Sequence, residues 1–148
     1  WSTPVPLGED INTEDEEGAS YITRDYSQLY FTRCQSSKNK TMGCQIMVSQ
    51  RRGEAWDKPE SLNLSDDSIV VAHPALSPDE LTIYFVSDME GSLKGENGKN
   101  SKDIWMATRS GRSADWGMPV NMGEPVNTPG DELFPYMHND GTLYFSSN

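Results

Sequence analysis

Three times in this chain a tryptophan is followed three residues later by proline, and three after that by leucine or methionine. Trp1-Pro4-Leu7, Trp56-Pro59-Leu62 and Trp116-Pro119-Met122 are separated by 55 and then 60 residues. A second element trails each one: Leu29-Tyr30-Phe31, Ile83-Tyr84-Phe85 and Leu143-Tyr144-Phe145, with 29, 28 and 28 residues from Trp to Tyr. A period of this length carrying several short apolar runs predicts a radially repeated β architecture, with function in loops added to a repeated frame.

Four strands fit within each unit. The first, A, is expected at Ala19–Arg24, Ala72–Ser77 and Leu133–His138. Each is followed by a turn, at Asp25-Tyr26-Ser27, Pro78-Asp79-Glu80 and Asn139-Asp140-Gly141. The last is a strong hairpin signal, because Asp-Gly tolerates the positive φ of a tight turn. Strand B carries the Leu/Ile-Tyr-Phe element, whose consecutive apolar residues require cover on both faces. Strand C is expected at Gln45–Gln50 and Asp103–Arg109, and strand D at the Trp-x-x-Pro element, since proline is tolerated on an outermost strand. The units run over about 19–62, 72–122 and 133–148, with a lone D strand at 1–7. The fold class is therefore all-β, a β-propeller of four-stranded antiparallel blades. About two and a half blades are present, and an incomplete ring needs further protein along both edges.

Composition narrows the partners. With 148 residues the chain is long enough for a real core, and its apolar content of 34% suits short strands joined by polar loops. A formal net charge of −11 argues against nucleic acid, which needs a Lys/Arg stripe, and against an anionic membrane surface. No run is long enough for a membrane-spanning helix, and the chain begins at Trp, as a mature or truncated piece would. Cys34 and Cys44 are ten apart at the two ends of an expected hairpin loop. A disulfide there would stabilise by roughly 2.5–3 kcal/mol and would favour an oxidising compartment. A pair of free thiols is the alternative.

Ala72-His73-Pro74-Ala75-Leu76-Ser77-Pro78-Asp79, with Ile83-Tyr84-Phe85-Val86-Ser87-Asp88 and Asp103-Ile104-Trp105, resembles a WD40-like propeller repeat of the Tol-B-like kind. The third unit carries Asn127-Thr128, Gly130-Asp131-Glu132 and Phe134-Pro135 before Leu143-Tyr144-Phe145-Ser146-Ser147-Asn148. It is similar to a narrower group, the propellers of OmpA-family envelope proteins of Bacteroidetes-type bacteria. The first unit departs from the pattern, with Arg24-Asp25-Tyr26 in place of Ser-Pro-Asp. The resemblance implies a non-catalytic interaction scaffold at the periplasmic face of the outer membrane, linked to type IX secretion. It also implies envelope or secretion-system partners, and peptidoglycan contact only through a separate domain.

Loops at one rim are the expected binding surface. The D–A loops supply Glu9, Asp10, Glu14, Asp15, Glu16 and Glu17, then Asp66 and Asp67, then Glu124, Asp131 and Glu132. The B–C loops supply Lys38 and Lys40, then Lys94, Lys99 and Lys102. A partner-docking or cation-binding rim is one reading, and a solvated surface the other. The stretch from Asp88 to Asp103 is glycine-punctuated and lysine-rich, which suits a flexible hairpin loop and not a Ca²⁺ loop. His73 and His138 stand at non-equivalent points of strand A, without the ligand set of a zinc site. No cofactor is implied, no Gly-x-Ser-x-Gly elbow appears, and no cysteine nucleophile has a histidine partner. The competing reading is the propeller of a carbohydrate-active or peptidase-type hydrolase whose catalytic residues lie outside these residues, with a glycosidase pair left open here only by the number of carboxylates. The recurring Trp residues fit repeated packing better than a sugar-stacking array, so Trp56 and Trp116 are expected to be largely buried.

Overall fold

A computed structural model describes residues 2–37, 40–66 and 68–148, without the side chains of 36, 37 and 40–42. Trp1, Lys38 and Asp67, and the side chain of Lys40, thus lie outside the described residues. The described residues form an all-β chain of antiparallel sheets. The first sheet holds β1 (Glu16–Ile22), β2 (Gln28–Ser37), β3 (Lys40–Arg52), β4 (Ala55–Trp56) and β5 (Glu60–Ser61), with β4 and β5 both paired to β3. The second holds β6 (Val71–Leu76), β7 (Thr82–Ser87), β8 (Asp103–Thr108) and β9 (Val120–Asn121) in chain order. The third is a pair, β10 (Glu132–Met137) and β11 (Leu143–Ser147).

The sheets repeat in register as well as in strand order. Tyr21 faces Tyr30, Ala75 faces Tyr84 and Tyr136 faces Tyr144. In each first strand the ladder breaks just before that pair, between Gly18 and Tyr21, Ala72 and Ala75, and Leu133 and Tyr136. The bulge residue has positive φ every time: Ala19 at 43°, His73 at 54° and Phe134 at 54°. Left-handed backbone is costly for residues with a Cβ, so its recurrence at one site marks a fixed architectural bend. The turn that follows repeats as well. Thr23 and Ser77 donate to Asp25 and Asp79 at 2.8 and 2.6 Å, and the next residue, Tyr26 or Glu80, again has positive φ. Gly141 takes that place in the third turn, which closes one residue sooner, with His138 N–H bonded to Thr142 instead of across a five-residue step.

Strand D is shorter than the sequence suggests. Asp57 N–H bonds Gln50 and Leu62 N–H bonds Ile46, but only Glu60–Ser61 between them pair as a ladder with β3. The same holds in the second sheet, where Gly117 and Met122 bond Thr108 and Ile104 on either side of β9. Proline interrupts the pairing because it has no N–H to give. Trp56 and Trp116 therefore sit at the edge, half-buried where burial was expected, under Arg51 at 5.8 Å and Arg109 at 4.3 Å. The fully packed indole is Trp105 of β8, whose Nε1–H donates to Ser92.

The first strands of the second and third sheets lie against the preceding sheet, β6 on β1, β2 and β3, and β10 on β6, β7 and β8. The main core joins the first two sheets through Tyr30, Ile46, Val71, Ile83, Phe85 and Trp105. Leu29 and Phe31 point the other way and pack with Ile11, so the apolar run of β2 is covered on both faces as its pattern requires. The matching run of β11 is not: Tyr144 is 56% exposed and Phe145 36%.

Cys34 and Cys44 are directly opposite in the β2–β3 ladder and are bonded. Their Cα atoms are 4.0 Å apart, shorter than the usual span of about 4.4–6.8 Å, because the bridge crosses two directly paired strands and not an open loop. Replacing both with serine is expected to cost about 2.5–3 kcal/mol through the ten-residue closure it removes. A urea titration of the double variant under non-reducing conditions measures this, and an unchanged midpoint would contradict it.

Candidate interaction rim

The loop ahead of each outer sheet is built on one local motif. Asn12-Thr13 and Asn127-Thr128 are each followed, four residues after the threonine, by a glutamate, Glu17 or Glu132. Thr13 and Thr128 donate their hydroxyls to those carboxylates at 2.6 Å, and their backbone N–H groups bond the same carboxylates. The asparagine fastens the loop to a neighbouring backbone. Asn12 Oδ1 accepts from Leu7 N–H, while Asn127 bonds both the N–H and the C=O of Ile104. Short polar side chains closing loops on their own backbone in this way fix the loop shape without help from a ligand.

The acidic residues of the rim separate into distinct groups. Glu17 takes Arg33 at 3.0 Å, and the same guanidinium also donates to the carbonyls of Asp10 and Ile11. Burial pushes Glu17 up, but bonds from Thr13 and Arg33 outweigh it and hold the carboxyl below its ordinary value. Asp131 is held down by the Lys102 backbone N–H first, against burial, and then by the ammonium at 2.9 Å. Glu132 is fully buried and also accepts from Ser147. Glu9, Asp10 and Asp66 are exposed, with the Asp66 carbonyl accepting from Gln45. Lys94 reaches Asn100 across its own loop and none of the acidic residues. Asp15 is half-buried, and its N–H is taken by Thr13. Among the described residues, no group of three or more His, Cys, Asp or Glu could hold a metal.

Because the carboxyls of Glu17 and Asp131 are held low in the folded state, their contribution to stability is present above the unfolded-state values and fades as pH falls through the folded ones. Stability is therefore expected to decline as pH drops below about 4.5, the ordinary glutamate value, and Glu17→Gln should flatten that decline. Denaturant midpoints between neutral pH and pH 3 measure it; identical pH slopes for the two proteins would contradict it.

The stretch from Asp88 to Asp103, expected as a flexible connector, is tied together internally. Fully buried Asp103 accepts from Leu93 N–H at 2.9 Å, Ser101 Oγ at 2.7 Å and Asn121 Nδ2 at 2.8 Å. Asn100 donates to the carbonyls of Asp88 and Met89, and Ser101 N–H bonds Leu93. This loop and the third-sheet loop border a polar cleft of about 550 Å³ lined by Glu96, Asn97, Asn100, Asp131 and Asn148.

Two further clusters carry no signal in charge counting. At the opposite rim, buried Glu80 accepts from Arg24 N–H, lies 2.7 Å from Arg112 Nε, and so couples the first and second sheets. Arg112 also pairs with Asp25, and Arg24 bonds Asn139 of the third turn. On the first strands of the second and third sheets, His73 stacks on Phe134 with centroids 4.1 Å apart, and its Nδ1 accepts from Phe134 N–H. Burial, then Lys102, draws His73 below its ordinary value, which keeps that nitrogen an acceptor. His138 lies apart from it, paired with Asp140 at 3.0 Å. The repeated turn motif of Thr/Ser and Asp was readable as the signal for the first cluster; the second needed the bulge.

No protein-family model matches the chain, and no curated protein matches it. The arrangement offers threonine-latched acidic loops and inter-sheet ion pairs.

Proposed function

We propose that the chain is a segment of a β-propeller that serves as a non-catalytic protein-interaction scaffold in a bacterial cell envelope. The observation that carries the reading is the register shared by three successive sheets, each entered through a bulged first strand, with the second and third of these strands packed on the sheet before. Propellers use such repetition to hold loops rigidly at one rim. The Cys34–Cys44 bond fits an oxidising compartment. The resemblance to OmpA-family propellers, PorE of the type IX secretion system among them, supplies the rest of the proposal. It implies a parent protein at the periplasmic face of the outer membrane, with envelope or secretion-system proteins as partners and peptidoglycan held by a separate domain.

The test is fractionation and crosslinking of the tagged parent protein in its own host. The reading expects outer-membrane fractionation, co-purification with sacculi, and crosslinks from the rim loops to secretion components. A cytoplasmic protein, or a parent that hydrolyses glycans or peptides, would overturn it.

A further inference from the structure

The bulge residue of each first strand is left out of the ladder, so its amide needs an acceptor from elsewhere. The two junctions between sheets supply that acceptor differently. Between the first and second sheets, His73 N–H donates to the Thr32 hydroxyl of β2 at 2.8 Å. Between the second and third, Phe134 N–H donates to His73 Nδ1 at 3.3 Å, and the two rings stack with their planes 9° apart. A hydroxyl accepts at any ordinary pH, whereas an imidazole nitrogen accepts only while it carries no proton. Ala19, which holds the place of His73 in the first unit, has no side-chain acceptor to offer.

His73 thus touches all three sheets, with its backbone on the first and its ring on the third. The groups around the half-buried ring do not favour a positive charge there. Burial opposes it first, and then Lys102, just ahead of β8. On the side of β10, Asp131 is taken by the N–H and the ammonium of Lys102. On the side of β1, Glu16 and Glu17 border the same cavity as His73 and Phe134. Glu17 is held by Arg33 and Thr13, and Glu16 is exposed, where water screens it. Cys34 of β2 also borders that cavity and is bonded to Cys44, so it does not titrate.

We propose that His73 is a pH-sensitive joint, whose neutral ring docks the third sheet onto the second and whose protonation releases the bulge of β10 from β6. A proton taken from solvent onto Nδ1 turns the acceptor into a second donor, so two N–H groups face each other where one bond stood. The docked ring takes up that proton less readily than a free one. Docking is therefore undiminished above about 6.5, the ordinary histidine value, and weakens as pH falls from there towards the docked value. That window lies above the one set by Glu17 and Asp131, so the joint opens while the rim carboxylates still hold. β10 stays tied at its first residue, where Glu132 N–H bonds the Lys102 carbonyl at 2.7 Å.

The test follows the ring nitrogens and the backbone amides of the 148-residue chain by NMR between about pH 8 and pH 5. At the upper end the ring should carry its proton on Nε2 and none on Nδ1. As it titrates, exchange of the Phe134 amide, taken relative to its intrinsic rate at each pH, should quicken by about tenfold or more. The His73 amide, capped by Thr32, should keep its protection throughout. Asparagine tolerates positive φ and brings a side-chain oxygen that does not titrate, so His73→Asn should protect the Phe134 amide across the whole range. His73→Phe keeps a ring to stack but no acceptor, and should leave that amide fast at every pH. A proton on Nδ1 at the upper end, or Phe134 protection that does not follow the ring, overturns the proposal. So does an unchanged pH response in His73→Asn, or equal loss at the His73 and Phe134 amides. The joint rests on the two bulges and not on the envelope role, so either can fail alone.

Discussion

Truncating Phe85 to alanine is expected to destabilise the chain by about 3–5 kcal/mol. Its ring is wholly buried in the core that joins the first two sheets, beside Ile83, Tyr30 and Trp105. Neighbours held in two hydrogen-bonded sheets relax little, so the cavity cost adds to the lost transfer energy. The repeat supplies its own control. Phe145 occupies the same place in the third unit but is 36% exposed, and its alanine variant should cost less than about 1 kcal/mol. Equal losses in urea titrations of the two variants would mean that the third sheet is packed like the second.

Asp103→Ala is the second large effect, about 3–5 kcal/mol, because it strips the common acceptor from three donors in a buried place. The Leu93 N–H, the Ser101 hydroxyl and the Asn121 amide all meet on that carboxylate, and Asn121 also accepts from Asn127. The loss should reach beyond stability: amide exchange across residues 92–101 should quicken, since the loop has no other anchor of that strength. Unchanged exchange there, or a loss within about 0.5 kcal/mol, would mean that the loop holds itself without Asp103.

Much of the frame was legible in the sequence, for reasons that are local. The Leu/Ile-Tyr-Phe runs identify second strands because consecutive apolar residues need two covered faces, and in β2 and β7 they have them. The cysteine pair was readable from its position at a hairpin, and the turns from Asp and Gly. Strand D lies where the tryptophan motif put it but is shorter: the two residues after each proline pair with the neighbouring strand, while the tryptophan stacks with arginine at the edge. Asp103 was invisible as an organiser because nothing in a polar stretch shows which carboxylate is buried. The rim residues looked like one acidic surface, yet Glu17, Asp131 and Glu132 are each satisfied by partners of their own. Net charge reports how many carboxylates a rim has and is silent on which of them are committed.

The bulge could not be read at all. Ala19, His73 and Phe134 share no chemistry that favours positive φ, so the bend is imposed by the packing of one first strand upon the next. That makes the backbone at Ala19 the sharpest test of the repeated frame. A glycine in an ordinary strand costs roughly 0.5–1 kcal/mol relative to alanine, whereas at positive φ it relieves a strain of about 1–2 kcal/mol. With φ of 43° at Ala19, the account predicts that Ala19→Gly raises stability by about 0.5–1 kcal/mol in a urea titration. A loss of that size would place Ala19 in regular strand and contradict the shared bulge on which the three-unit register rests.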